Sequence, residues 1–322
     1  MPDTIPLDLR PMEAEPADAL PSGGDWQFEP KYDGFRCLAH WRPKGVRLQS
    51  KNGKPLERYF PELAAGLGAL PETGFVLDGE IVIPGGSFET LQLRLHPAAS
   101  RVAKLSRESP AQFVAFDLPA RGGEDLTGRP FAERRAALEA FVRAAPRTPS
   151  LRLGKATRSA ATARRWLGAE GLDGIIAKRL DLAYQPGKRA MQKFKEWKTI
   201  DCVIGGLYRR RGSEAIEYLL LGLYDEDGRL NYVGRARAGD AAEMKRKVEP
   251  LTGGQGFTGR APGGKSRWSG REREPVPLEP RLVAEVSADH ITGEHMRHGA
   301  RLLRWRPDKD PEACTMDQIR AG

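Results

Sequence analysis

Short runs of alternating apolar and polar residues, closed by glycine-rich turns, recur through most of this chain, and only a protein built largely of brief strands satisfies such a pattern. Between Trp26 and Ile83 the segments WQF, RCLAHW, GVRLQS and FVLDGEIVI carry it, interrupted by one helix whose apolar positions Phe60, Leu63, Leu67 and Leu70 recur at helical spacing. FVAFDL (113–118) reads as a further strand, followed by helices near 131–145 and 158–170 and then the strand GIIAKR. Beyond Gly187 the chain alternates through KRAMQKFKEWKTIDCVIGGLYRR and continues as EYLLLGLY, LNYVGRA, RLVAEVS and RLLRW, with a single helix near 239–250. Short strands, glycine turns and one helix predict a small barrel of the OB type here. At roughly 150 residues per domain, a length of 322 predicts two domains, with the boundary near Thr199–Asp201. The expected organisation is an extended, Pro-rich lead-in over 1–24, in which ordered structure begins only at Trp26, a first domain over 25–199 and the barrel over 200–322.

Composition narrows the class. The 52 Lys and Arg exceed the 43 Asp and Glu, giving a net charge of +9 that suits a polyanionic partner. No stretch approaches the ~18 consecutive apolar residues of a membrane span, and the opening residues lack the apolar core of a signal peptide, so the chain is expected in the cytoplasm, off the membrane. The three cysteines, Cys37, Cys202 and Cys314, form no C-x-x-C pair, which argues against a disulfide framework and a zinc knuckle alike. His290, His295 and His298 match no common zinc spacing either.

The segment Glu29-Pro30-Lys31-Tyr32-Asp33-Gly34-Phe35-Arg36 is the most informative. If WQFEPK is extended, Trp26 and Phe28 face one way while Glu29 and Lys31 share the other face. Gly34 marks a tight turn where a ligand can approach the backbone. Alone, such a run is a surface turn more often than an active site. In FVLDGEIVI, however, Asp78 and Glu80 face the same way from an otherwise apolar strand, as do Lys193 and Lys195 in MQKFKEW. Charges set in apolar strands are costly to desolvate unless paired or bound to a ligand. A pocket with carboxylates on one wall and lysines on another suits a metal-nucleotide.

The ordered series KYDGFR (31–36), SKNG (50–53), LDGE (77–80), AFDL (115–118), DGIIAK (173–178) and KFK (193–195) resembles the six-motif signature of covalent nucleotidyltransferases, specifically the ATP-dependent DNA ligases. The ending AEVSADHITGEHMRHGARLLRWRPDKDPEACT is similar to the close of the stand-alone bacterial ligase C group, so the resemblance runs from Trp26 to Thr315. It implies an α+β fold: an adenylation domain of antiparallel sheets flanked by helices, then an OB-fold barrel. It also implies sealing of 5′-phosphate/3′-hydroxyl nicks in duplex DNA during DNA repair. Lys31 attacks the α-phosphate of ATP and expels pyrophosphate, AMP passes to the 5′-phosphate of the nick, and the 3′-hydroxyl then displaces AMP. The implied cofactors are ATP and Mg2+ or Mn2+. Only 30 residues precede Lys31, too few for the nicotinamide-binding domain of NAD-dependent bacterial ligases, which again selects ATP.

Roles follow motif by motif from the resemblance. An ordinary lysine titrates near ~10.4, so a nucleophilic one needs desolvation, bound metal or neighbouring cations such as Lys193 and Lys195. Those two lysines are implied to neutralise the α-phosphate. Arg36 and Lys51 are implied to bind ribose or phosphate, Glu80 the ribose or a metal, and Asp173 the catalytic metal. Glu29 either reads the adenine amino edge or forms a plain salt bridge; Phe116 either stacks on adenine or belongs to the core. Arg304, Arg306, Asp308 and Lys309 are implied to orient pyrophosphate. The chain departs from the family at Lys51, where Arg is usual and bidentate contact is lost. It departs again at Asp173, where Glu is usual, and at Gly299 and Ala300, where Pro and a basic residue are common. Residues 251–275, rich in Gly and Arg, read either as a flexible loop or as a DNA contact using Arg260, Lys265, Arg267 and Arg271 on phosphates and Trp268 for stacking. The competing readings are an RNA ligase or capping-type nucleotidyltransferase, and a non-catalytic nucleic-acid-binding module. Nicked duplex DNA is the expected partner, repair polymerases are candidate partners, and the chain is expected to act as a monomer.

Overall fold

The computed structural model describes residues 5–320 apart from 168, 170, 196, 264–273, 289–290, 293 and 297–298. The chain divides into two compact units, Met1–Lys195 and Glu196–Gly322. Unbroken alternation through KFKEWKTID explains why the sequence places the boundary a few residues later: no change of composition marks it. No helix among the described residues is long and apolar enough to cross a membrane.

In the first unit the strands follow as β1 (Glu13–Ala17), β2 (Trp26–Tyr32), β3 (Phe35–Arg42), β4 (Gly45–Ser50), β5 (Val76–Val82), β6 (Gln112–Arg121), β7 (Glu124–Asp125), β8 (Leu151–Leu153), β9 (Leu172–Arg179) and β10 (Arg189–Phe194). One sheet has the order β1-β10-β9-β2; the other runs β4-β3-β5-β6-β7, with β8 beside β6. Neighbours are antiparallel except β1 on β10 and β8 on β6. Alternation drives the packing: Cys37 and Ala39 of β3, Leu48 of β4 and Leu77 of β5 are fully buried in one core cluster. Helix α1 (Pro61–Gly68) joins that cluster through Leu63 and Leu67, one turn apart, with proline pre-set for its first turn.

Two short helices, α2 (Phe88–Gln92) and α3 (Ala99–Glu108), have no counterpart in the sequence expectations. The only buried residue of α3 is Val102, so it leaves no apolar stripe to detect. Helix α4 (Phe131–Ala144) lies where expected, whereas α5 (Ala160–Arg164) is shorter than the expected 158–170. Trp166 and Leu167 reach the α5 cluster from the turn beyond its end, which mimics helical periodicity.

Order does not begin at Trp26. Ile5, Met12 and Leu20 are buried, and β1 pairs in parallel with β10, Ala14–Ala17 against Met191–Phe194. As an edge strand with Pro16 in it, β1 carries no alternation for the sequence to reveal. Between β2 and β3 the chain passes from one sheet to the other in the turn Asp33–Gly34. A Cβ at Gly34 would lie 2.2 Å from the Ile81 carbonyl oxygen and 2.8 Å from Glu80 Cγ, so only glycine fits.

The second unit contains β11 (Lys198–Arg209), β12 (Ile216–Tyr224), β13 (Leu230–Arg237), helix α6 (Ala241–Lys247), β14 (Val276–Pro277), β15 (Val283–Ala288), β16 (Ile291–Thr292), β17 (His295–Met296) and β18 (Arg301–Trp305). Its main sheet has the order β13-β12-β11-β15-β18. Ala236 of β13 meets Ala300 in a parallel bridge, with Ala300 N donating to the Arg235 carbonyl at 2.8 Å, so the sheet curls back on itself. That closure, with α6 between the third and fourth principal strands, is the expected OB barrel. Ile204, Leu207, Leu221, Val233 and Val286 fill it.

Candidate active site

The site is a cavity of about 420 Å³ in the first unit, walled by both sheets. Glu29 and Lys31 of β2, Arg36 of β3, Glu80 of β5, Phe116 of β6, Lys193 of β10 and Lys51 from the turn after β4 all line it.

Lys31 sits at a register break: Pro30 pairs with Ile175 of β9 but Tyr32 with Leu172. The extra residue lies in β9, where Asp173 and Gly174 stand against Lys31 alone, and a bulge re-aims the side chain it carries, here that of Asp173. It brings the Lys31 ammonium into a close ion pair with Asp173 Oδ2, while Lys195 Nζ stands 2.9 Å from Asp173 Oδ1. Gly174 permits this approach, since a Cβ there would lie 2.3 Å from the Phe194 carbonyl oxygen. Burial raises the Asp173 carboxyl, but Lys31 and Lys195 outweigh it and hold the group below the usual aspartate range. Burial, then repulsion from Lys31, Lys195, Lys51 and Arg189, pulls Lys193 below the ordinary lysine value.

Arg36 stands directly opposite Glu80 across the β3–β5 ladder. Its guanidinium grips Asp78 bidentately at 2.6 and 2.8 Å. Burial disfavours the charged guanidinium, yet Asp78 more than compensates and keeps it cationic. Among the described residues Glu80 has no such bidentate partner: burial, only partly offset by Arg36 and Lys31, pushes it up to about 7. Phe116 occupies a second bulge, where β5–β6 pairing steps from Asp78↔Asp117 to Gly79↔Ala115. Arg36 Cζ and Lys178 Nζ each lie 4.5 Å from its ring centroid.

Glu29 makes the salt bridge that its residue type allows, with Lys178 at 2.7 Å, and accepts from Gln27 at 2.9 Å. Lys51 pairs with Glu13 of β1 at 3.0 Å. Sequence reasoning missed Lys178 as a site residue although it is 2% exposed and lines the cavity. The signal was available, a lysine inside the apolar strand GIIAKR. Glu13 and Met12, also at the cavity, gave no signal.

Among the described residues no three His, Cys, Asp or Glu side chains form a ready-made metal site. Glu80 and Asp173 suit a hard ion that keeps several waters and is completed by substrate phosphates, which is the habit of magnesium. When bound, such an ion would screen phosphate charge.

The barrel residues belong to the second unit. Arg304 pairs with Glu285 at 2.7 Å, Arg306 with Asp201 at 3.0 Å and Asp308 at 2.8 Å, and Lys309 with Asp201 at 3.2 Å. Its hydrogen bond with Arg306 holds Asp308 down to about 2. Arg260 donates to the Tyr232 and Glu294 carbonyls at 3.2 and 3.0 Å. Lys265, Arg267, Trp268 and Arg271 lie outside the described residues, as do His290 and His298. His295 packs its ring on Tyr232, 5.3 Å between centroids.

A cationic cavity of about 420 Å³ with a lysine set opposite a strand bulge, on a chain that also carries an OB barrel, defines a nucleotidyltransferase architecture. Residues 11–195 match the family model described as ATP dependent DNA ligase domain, and residues 212–309 that described as ATP dependent DNA ligase C terminal region. DNA ligase C2 of Mycolicibacterium smegmatis is 45% identical over 97% of this chain and 94% of its own length. DNA ligase C of Mycobacterium tuberculosis is 44% identical over 97% and 93%. The multifunctional non-homologous end joining DNA repair protein LigD of Mycobacterium tuberculosis is 32% identical over 89% of this chain and 37% of its own length. A solved Lig E DNA ligase shares the fold, with a TM-score of 0.60 at 15% identity, covering 92% of this chain and 99% of that one. The chain belongs to the ATP-dependent DNA ligase family. It is an ATP-dependent enzyme whose substrate is nicked DNA.

Proposed function

We propose that Lys31 is the nucleophile and that this ligase seals 5′-phosphate/3′-hydroxyl nicks through a lysine-bound adenylate. The observation that carries the reading is the placement of the Lys31 amine opposite a bulge, against Asp173, in a cavity with Lys193 and Lys195 close by. The amine, its proton released, attacks the α-phosphorus: the Nζ–P bond forms as the bond to pyrophosphate breaks. AMP then passes to the 5′-phosphate of the nick, and the 3′-hydroxyl displaces it. Lys193 and Lys195 neutralise the α-phosphate, a demand of charge and position. Phe116 stacks on the adenine, and Glu29, which accepts hydrogen bonds, selects its amino group. Arg36 and Lys51 hold ribose or phosphate, and Glu80 and Asp173 hold Mg2+. Arg304, Arg306, Asp308 and Lys309 orient pyrophosphate. Arg260, with Lys265, Arg267, Trp268 and Arg271, grips the duplex. The chain works as a monomer in DNA repair, alongside repair polymerases; the LigD relative supports the repair setting.

The test is incubation with α-labelled ATP and magnesium followed by a denaturing gel. The unaltered protein is expected to carry label and Lys31→Ala none. Label on Lys31→Ala refutes the assignment.

A further inference from the structure

The outer wall of the nucleotide cavity is the chain's own β1 region, and the bonds that fasten it close into a ring through Arg36. Arg36 Nη2 donates to the Met12 carbonyl at 3.2 Å and to Asp78 Oδ2 at 2.8 Å, while Nε donates to Asp78 Oδ1 at 2.6 Å. The Met12 N–H donates to the Tyr184 hydroxyl at 3.1 Å, and that hydroxyl donates to Asp78 Oδ2 at 2.7 Å. Tyr184 therefore uses its hydroxyl in both directions, accepting from the backbone and donating to the carboxylate. Met12, Asp78 and Tyr184 are 4%, 1% and 4% exposed, so water does not replace these bonds. Arg36 and Met12 are the members that line the cavity, and Arg36 alone brings a charged side chain to it; Tyr184 and Asp78 do not line it. None of the sequence motifs contains Tyr184, which follows β9 in DLAYQPG.

We propose that Tyr184 is a positioning residue for nucleotide binding: through Asp78 and the Met12 backbone its hydroxyl fixes the Arg36 guanidinium against the nucleotide. The proposal rests on Arg36 being a nucleotide contact. Removing the hydroxyl leaves the Met12 N–H without its acceptor and Asp78 with one donor fewer, so the guanidinium loses its fixed partner on one side while remaining present. Ground-state positioning is then what suffers. The same N-terminal segment has fastenings outside the ring, Arg42 Nη2 on the Ile5 carbonyl at 2.8 Å and Gln49 Nε2 on the Leu9 carbonyl at 2.9 Å, and these supply a control.

The experiment is single-turnover self-adenylation of the full chain over a range of ATP concentrations. One net hydrogen bond corresponds to about a fivefold change, so Tyr184→Phe is expected to raise the half-saturating ATP about fivefold and leave the maximal rate within about twofold. Asp78→Asn, which keeps the shape and weakens the same bonds, is expected to give the same split. In an Arg36→Ala background, Tyr184→Phe is expected to add nothing, because a residue acting through Arg36 has nothing left to position. Arg42→Ala is expected to leave the half-saturating ATP unchanged. The proposal is overturned by Tyr184→Phe with unaltered half-saturation, by a loss confined to the maximal rate, by an equal cost with and without Arg36, or by Arg42→Ala matching Tyr184→Phe. In each of these cases Lys31-dependent labelling survives, whereas failure of the underlying reading shows as label on Lys31→Ala.

Discussion

Glu80→Gln is expected to stabilise this protein at alkaline pH and to do almost nothing in acid. Glu80 faces the cavity from β5, and burial pushes its carboxyl from the ordinary 4.5 up to about 7, with Arg36 and Lys31 offsetting only part of the rise. The folded state therefore holds the Glu80 proton more tightly than the unfolded chain does. The stability this provides is complete below about 4.5 and is lost as the pH rises through about 7. At about 1.4 kcal/mol per tenfold change in proton affinity, the rise from 4.5 to about 7 amounts to about 3 kcal/mol. Glutamine matches the neutral acid in shape and never ionises, so it escapes that loss. For a unit of this size about 1 kcal/mol corresponds to roughly 2–4 °C, which predicts a Tm advantage of about 6–12 °C for Glu80→Gln at pH 8.5 and a small one at pH 4.5. Thermal unfolding of both proteins at the two pH values, without nucleotide or divalent metal, measures it. A Tm difference that stays constant between the two conditions refutes the reasoning, since it would mean that Glu80 ionises alike in the folded and unfolded states.

Arg134 of α4 and Asp117 of β6 form a fully buried bidentate pair, both bonds 2.9 Å, so Arg134→Leu strands a carboxylate and is expected to cost about 3–5 kcal/mol in urea unfolding. His40 is fully buried with neither ring nitrogen partnered among the described residues, and burial, aided by Arg42, lowers it to about 4. Its folded form thus resists protonation, and stability present above about 6.5 is lost as the pH falls through about 4; His40→Leu is expected to remove about 3 kcal/mol of that acid sensitivity in denaturant titrations.

Strand-borne chemistry was legible because the physics is local. A carboxylate or lysine in an apolar strand announces itself wherever the partner lies, which is how Asp78, Glu80, Lys193 and Lys195 stand out in the sequence. The bulges opposite Lys31 and at Phe116 were not legible, since a register break depends on the opposing strand. Nor was the ring of Tyr184, Met12 and Asp78, whose members come from distant segments and meet only once both sheets exist. The N-terminal segment shows the same limit. Its strand borrows backbone partners from β10 and its fastening from Arg36, Arg42 and Gln49, so nothing in its own composition signals order. Helix α3 went unseen because it buries so little.

Lys31, Asp173 and Lys193 ride on one sheet, Arg36, Glu80 and Phe116 on the other, and the chain crosses between them at Gly34. The candidate site is thus a seam, and its gauge is set by a spot too tight for even a methyl group. Widening that seam by a side chain at 34 would part Lys31 from Arg36 and Phe116 while leaving the individual groups on each bank intact.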